Sequence, residues 1–147
     1  MKKLFLSLSL MLAVAVSTAF ANDGANVNEQ VQASFKDEFP GANLIGWSSA
    51  GEFAKATFIL WGHRTEAYFT NDGELQGSAR SLFYNQLPLA VMTAIDKRFT
   101  ETEVLDIIEI NNTEGTTYSL LLETNSKKYR IKVDAGGSIN EIKRLKK

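Results

Sequence analysis

The chain has 147 residues, two prolines, one histidine and no cysteine, with a formal charge of −1 at neutral pH. The lack of cysteine excludes disulfides, thiol catalysis and a lipid anchor that needs a cysteine at a leader cleavage point. The mildly acidic balance argues against nucleic acid as a partner, because phosphate neutralisation supplies most of that affinity.

Met1-Lys2-Lys3 is basic, and Leu4 to Val16 is apolar apart from Ser7 and Ser9. Ala19-Phe20-Ala21 then places small residues at the two positions a signal peptidase reads. The expectation is a signal peptide over 1–21 and a mature domain over 22–147, periplasmic or secreted. The apolar stretch is shorter than the ~20 residues a spanning helix needs, so no transmembrane segment is expected after cleavage. Loss of Lys2 and Lys3 moves the formal charge from −1 to −3. What remains is long enough for one domain with its own core. The basic run Lys143-Arg144-Leu145-Lys146-Lys147 reads as a solvated terminus.

Residues 22–28 are polar and end in a helix cap at Asn26 or Asn28. Val27, Val31, Phe35 and Phe39 recur at every fourth position, predicting a first helix that Pro40-Gly41 stops. A short strand follows over 42–48. Phe53 to Trp61 and Arg64 to Thr70 read as a hairpin turning near Gly62-His63. Asn71-Asp72-Gly73 supports a second tight turn, and 74–82 a further strand. Leu87-Pro88 opens a second helix with Val91, Ile95 and Phe99 on one face, since proline suits a first helical turn. Strands are then expected over 104–110, 116–124, 127–133 and 138–145.

The apolar pattern repeats. An offset of 60 pairs the two helices and continues through Leu44 with Val104 and Trp47 with Ile107. From Gly51 the offset is 64, pairing Phe58 with Leu122, Ala67 with Ile131 and Gly73 with Gly137, so the added residues fall near 111–114, where lengthening a loop costs little. The expected fold is α+β: two repeats, about 27–82 and 87–145, each a helix followed by about four antiparallel strands, with both helices on one face of the sheet.

A leader, a helix ending Phe39-Pro40, a short strand with Trp47, a hairpin, an Asn-Asp-Gly turn and a Leu87-Pro88 helix start together resemble the PepSY-like family. These small secreted proteins are often grouped with the β-lactamase inhibitor protein for a shared tandem fold. The resemblance covers the chain from about Val27 to Leu145. It implies a non-enzymatic envelope protein, with inhibition of peptidases or β-lactamases among its relatives' roles. No inhibitory loop matches residue by residue. The chain departs from the pattern at Phe99-Thr100, where the helix lacks a terminating proline.

Catalytic chemistry finds little support. With one histidine and no cysteine, zinc would need mostly carboxylate ligands, and no serine sits in a Gly-x-Ser-x-Gly elbow. Asp37-Glu38, Glu101-Glu103 and Glu109 with Glu114 read as solvated pairs. Asn71-Asp72-Gly73-Glu74 lacks the spaced oxygens of a calcium loop. No phosphate-binding glycine loop is present. Neither catalytic residues, a metal nor a cofactor is therefore assigned.

The aromatics are more suggestive. Alternate strand residues face opposite ways, so Phe53, Phe58, Trp61, Tyr68 and Phe69 cannot all point inward. Phe58 with Tyr68 on one face and Trp61 with Phe69 on the other is one arrangement. Trp61 has the polar Asn125 as its counterpart, which weakens a structural account of it. The candidate binding residues are Trp61, His63, Arg64, Tyr68 and Trp47, contacting a protein or peptide partner. The bland reading sets Trp61 at the core edge, and Phe83-Tyr84 reads as an exposed linker anchor or, in preference, a core staple. A small apolar ligand between sheet and helices is the alternative, and a carboxylate-based hydrolase a weaker one.

Overall fold

The computed structural model describes residues 27–124 and 127–145. The expected signal peptide over 1–21, the polar leader to Asn26 and Asn125 lie outside the described residues. Helix α1 (Glu29–Glu38) is followed by strands β1 (Asn43–Ala50), β2 (Phe53–Leu60), β3 (His63–Phe69) and β4 (Leu75–Ser81). A 3-10 turn at Tyr84–Gln86 leads into α2 (Leu89–Arg98). Then come β5 (Glu103–Asn112), β6 (Gly115–Glu123), β7 (Lys128–Asp134) and β8 (Ile139–Leu145).

Each boundary has a local cause. Asn28 caps α1, its side-chain oxygen accepting the Val31 N–H at 2.9 Å, which satisfies a donor that the first turn leaves free. Pro40 and Gly41, the latter at φ 80°, release the chain after α1. Beyond α2 no proline or glycine is available, and Glu101 takes the left-handed conformation at φ 57°.

All eight strands join in one antiparallel sheet in sequence order. This overturns the expected α+β tandem of helix-plus-four-strand repeats. Gly77–Ser81 of β4 pairs with Ile108–Asn112 of β5, so the sheet runs unbroken through the middle of the chain and dominates two ten-residue helices. An offset between apolar positions reports which residues face inward. It carries no information on whether Ser81 meets Ile108, and pairing there removes the two strand edges that separate units would expose.

Both helices pack on one face of this sheet. The register makes Thr65, Arg80, Glu109 and Tyr118 same-side neighbours across β3 to β6, and they link the two cores. Under α1 the core is aromatic: Phe35 lies edge-on to Phe58 at 5.0 Å and to Trp47 at 5.5 Å, while Phe39 tilts against Phe58 at 4.8 Å. Under α2 it is aliphatic, built by Val91 and Ile95 against Ile107, Leu120, Leu122, Ile131 and Val133. These side chains are among the best buried in the molecule, and each contributes roughly 1.5–3 kcal/mol by leaving water.

Candidate functional site

The β2–β3 hairpin closes through Trp61-Gly62, one residue earlier than the sequence suggested, because Leu60 pairs with His63. Both turn residues have positive φ, 49° at Trp61 and 80° at Gly62. That geometry matches the right-handed twist of the strands and is the habitat of Asn, Asp and Gly. A tryptophan there costs about 1–2 kcal/mol in backbone strain. Its side chain is 82 % exposed, so burial offsets little of that cost.

Strand alternation separates the other candidates. Trp47 pairs with Ala56 on the helix-covered face and packs against Phe35 and Phe69, so it is a core residue. Phe58 and Phe69 share that face. Tyr68 lies on the opposite, open face, which corrects the expected grouping of Phe58 with Tyr68 and Trp61 with Phe69. There its hydroxyl donates to Glu66 at 2.9 Å, and Glu66 accepts from Lys55 at 3.4 Å. Burial, then the Glu66 carboxylate, pushes the Tyr68 phenol well above its ordinary value. This tyrosine stays protonated and tied down, which makes it a support of the sheet. Arg64 is exposed on the same open face, paired in register with Ile59.

His63 turns to the helix-covered side and meets the segment between β4 and α2. Its Nδ1 lies 3.2 Å from the Ser81 carbonyl, and its Nε2 lies 3.3 Å from the Gln86 amide nitrogen. The Gln86 side-chain oxygen accepts the Phe83 N–H at 2.8 Å. One arrangement satisfies all three contacts: Nδ1–H donates to Ser81, and Nε2 accepts from Gln86. His63 thus ties the Trp61 turn to the segment carrying Phe83.

Phe83 is 72 % exposed, which corrects its reading as a core staple. Tyr84 does turn inward, its hydroxyl donating to Asp96 at 2.6 Å. Leu44 and Ile45 are also exposed. They lie at a bulge where β1 begins, beside Phe58 and Ile59 and so at the Trp61 end of the sheet. Sequence reasoning missed Leu44 and Ile45 as surface residues, and of the two readings of Phe83 it preferred the buried one over the exposed anchor that the structure shows. The available signal was alternation: Leu82 and Tyr84 cannot both face the core without Phe83 facing away.

Charge is distributed along the strand direction. At the far end, the turns between β1 and β2, β3 and β4, β5 and β6, and β7 and β8 carry Glu52, Asp72, Glu74, Glu114 and Asp134, with no lysine or arginine among them. Farther along the Trp61 end of the sheet Glu103, Glu123, Lys128 and Arg144 carry both signs, but within 43–46, 60–64 and 81–86, around the Trp61 turn itself, Arg64 is the one formal charge. It makes no ion pair among the described residues, whereas Lys55–Glu66, Arg130–Asp106 and Lys132–Glu141 neutralise one another across the open face.

Among the described residues no three histidine or acidic side chains gather to hold a metal. Buried Glu109 is held in a fork by Arg80 and also accepts from Asn111. A notch of about 260 Å³ at the end of α2, lined by Tyr84, Ile95, Asp96, Phe99, Thr102 and Val104, falls below the ~300 Å³ of small-ligand pockets.

No family model matches the chain, and no curated protein does. Solved structures do. A BLIP-like protein from Bacteroides fragilis is 23% identical, with 82% of this chain and 87% of that one covered, at a TM-score of 0.74. A provisionally periplasmic protein from Bacteroides eggerthii is 22% identical over 81% of this chain and 89% of its own, also at 0.74. A DUF2874 family protein from Bacteroides ovatus reaches 0.75 at 18% identity, covering 82% of this chain and 89% of that one. The chain shares their fold. At these identities the likeness extends to the fold alone, and side chains at the Trp61 end are free to differ.

Proposed function

We propose that this chain is an exported, non-enzymatic binding protein of the PepSY-like and BLIP-like kind, which uses the Trp61 end of its sheet to occupy a cleft on a protein partner. The observation that carries this reading is Trp61 itself, a large aromatic held exposed in a backbone conformation that disfavours it. Strain retained where it does nothing for the core is characteristic of functional positions. Tryptophan and arginine are also the side chains that anchor protein interfaces most effectively.

Export rests on the leader at 1–21, and the periplasm on that leader together with the description of the Bacteroides eggerthii neighbour. The finer reading is inhibition of an envelope peptidase or other hydrolase, since a hairpin seated in a cleft would keep substrate out. The BLIP-like description of the Bacteroides fragilis neighbour agrees with such a role.

The test is affinity capture from envelope extract on immobilised 22–147. The Trp61→Ala/Arg64→Ala double variant is expected to lose the captured protein while keeping its far-ultraviolet circular dichroism. Capture that is unchanged in the variant removes this end of the sheet as the binding site.

A further inference from the structure

The apolar surface at this end is broader than one hairpin tip, and its parts are mechanically linked. The Ser81 carbonyl, His63 ring, Gln86 amide and Phe83 N–H form a continuous chain of hydrogen bonds. That chain fixes the Phe83 backbone relative to the Trp61 turn. Trp61 and Phe83 are 82 % and 72 % exposed, so both rings project from a pinned backbone into solvent.

We propose that Trp61 and Phe83 are two prongs of one anchor, held in register by His63, and that the anchor enters an apolar cleft with a carboxylate at its mouth on a folded partner protein. This rests on the binding reading above and names the chemistry of the partner.

Three observations carry it. Two bulky rings projecting from a tied backbone are shaped to fill a concavity, and little side-chain entropy is lost on seating them. The segments 43–46, 60–64 and 81–86 supply Leu44 and Ile45 as further apolar surface and hold no acidic residue. Aromatics and arginine with few acids or lysines is the composition of an interface core. Arg64 is the lone cation there, unpaired among the described residues, and it needs a carboxylate once water is excluded. His63 is a positioning residue in this scheme, since it acts through Ser81 and Gln86.

The experiment replaces Trp61 or Phe83, one at a time, by a photoreactive phenylalanine derivative in the full chain. Each variant is irradiated in envelope extract, and the cross-linked residues are mapped. Both probes are expected to link to the same protein, at residues lining one cleft that carries an aspartate or glutamate. Arg64→Glu should cut both yields by about tenfold or more at low salt. His63→Ala should reduce the yield from position 83 much more than that from position 61. A probe at 61 that links while the probe at 83 does not, or links elsewhere, overturns the two-pronged anchor and leaves the binding reading standing. Linkage of both probes to lipid alone, or to a flat or basic surface, overturns the proposed partner chemistry. Linkage at neither position overturns the anchor and the binding reading together.

Discussion

Arg80 and Glu109 face each other across β4 and β5 in a two-pronged fork, with Nε to Oε1 and Nη2 to Oε2 both at 3.1 Å. The fork spans the ladder that joins the first four strands to the last four, on the helix-covered face between the two cores. Arg80 is partly exposed while Glu109 is nearly buried, so the charge left behind matters more than the pair's own attraction. Arg80→Leu should therefore cost about 2 kcal/mol by stranding the buried Glu109 carboxylate, Glu109→Leu less because the guanidinium left behind reaches water, and Arg80→Leu/Glu109→Leu less than Arg80→Leu alone. Urea denaturation of the three variants provides the cycle.

Gly137 sets a second dependence, between a turn and a helix. It has φ 89°, and a Cβ built on it would lie 2.5 Å from the Ala90 carbonyl oxygen of α2. Backbone cannot yield as a flexible side chain can, so Gly137→Ala should destabilise by about 2–4 kcal/mol. Gly62→Ala also meets a positive φ, but it has open space around it, and should cost only about 1 kcal/mol. The difference in denaturation midpoint between the two variants isolates the clash.

Asp134 gives a pH dependence of known sign. Its Oδ1 accepts the Ser138 and Gly136 N–H groups at 2.9 and 3.0 Å, and the Ser138 backbone bond leads in holding its pKa below the ordinary 3.8. A depressed carboxylate pKa adds stability that is complete above the unfolded value and disappears as pH falls through the folded one. Acidification below about pH 4 should loosen the turn between β7 and β8. The loss of stability between about pH 6 and about pH 2 should be smaller in Asp134→Asn than in the wild type. An equal loss in both would show that this carboxylate does not sense the fold.

The two tryptophans should behave oppositely. Trp47→Ala removes a ring packed against Phe35 and Phe69 and should cost about 3 kcal/mol. Trp61→Ala should cost nothing measurable in stability. Iodide should quench the fluorescence of the Trp47→Phe variant, which retains Trp61, much more than that of Trp61→Phe.

The sequence made some of this legible. Four-residue spacing located both helices, and Asn71-Asp72-Gly73 located a turn whose glycine does take a positive φ of 84°. Trp61 stood out because its counterpart at 125 is polar. Three things were not legible. Whether β4 pairs with β5 is a tertiary fact, and Gly77, Ala79 and Ser81 have no composition that reveals it. His63 lies eighteen residues from Ser81 and twenty-three from Gln86, so no local pattern could pair them. Tyr68 and Trp47 looked like interface residues by type, but one is tied to Glu66 and the other fills a core, and only the strand register separates those cases.

On the proposed function, Trp61 is kept for contacts outside the chain and at some expense to the fold. The most direct measurement is urea denaturation of Trp61→Asn against the wild type. Asparagine suits the left-handed turn position, and little buried surface is lost, so the variant should equal the wild type or exceed it by up to about 1 kcal/mol. A loss of more than about 1 kcal/mol would mean that Trp61 serves the fold after all, and would contradict the account.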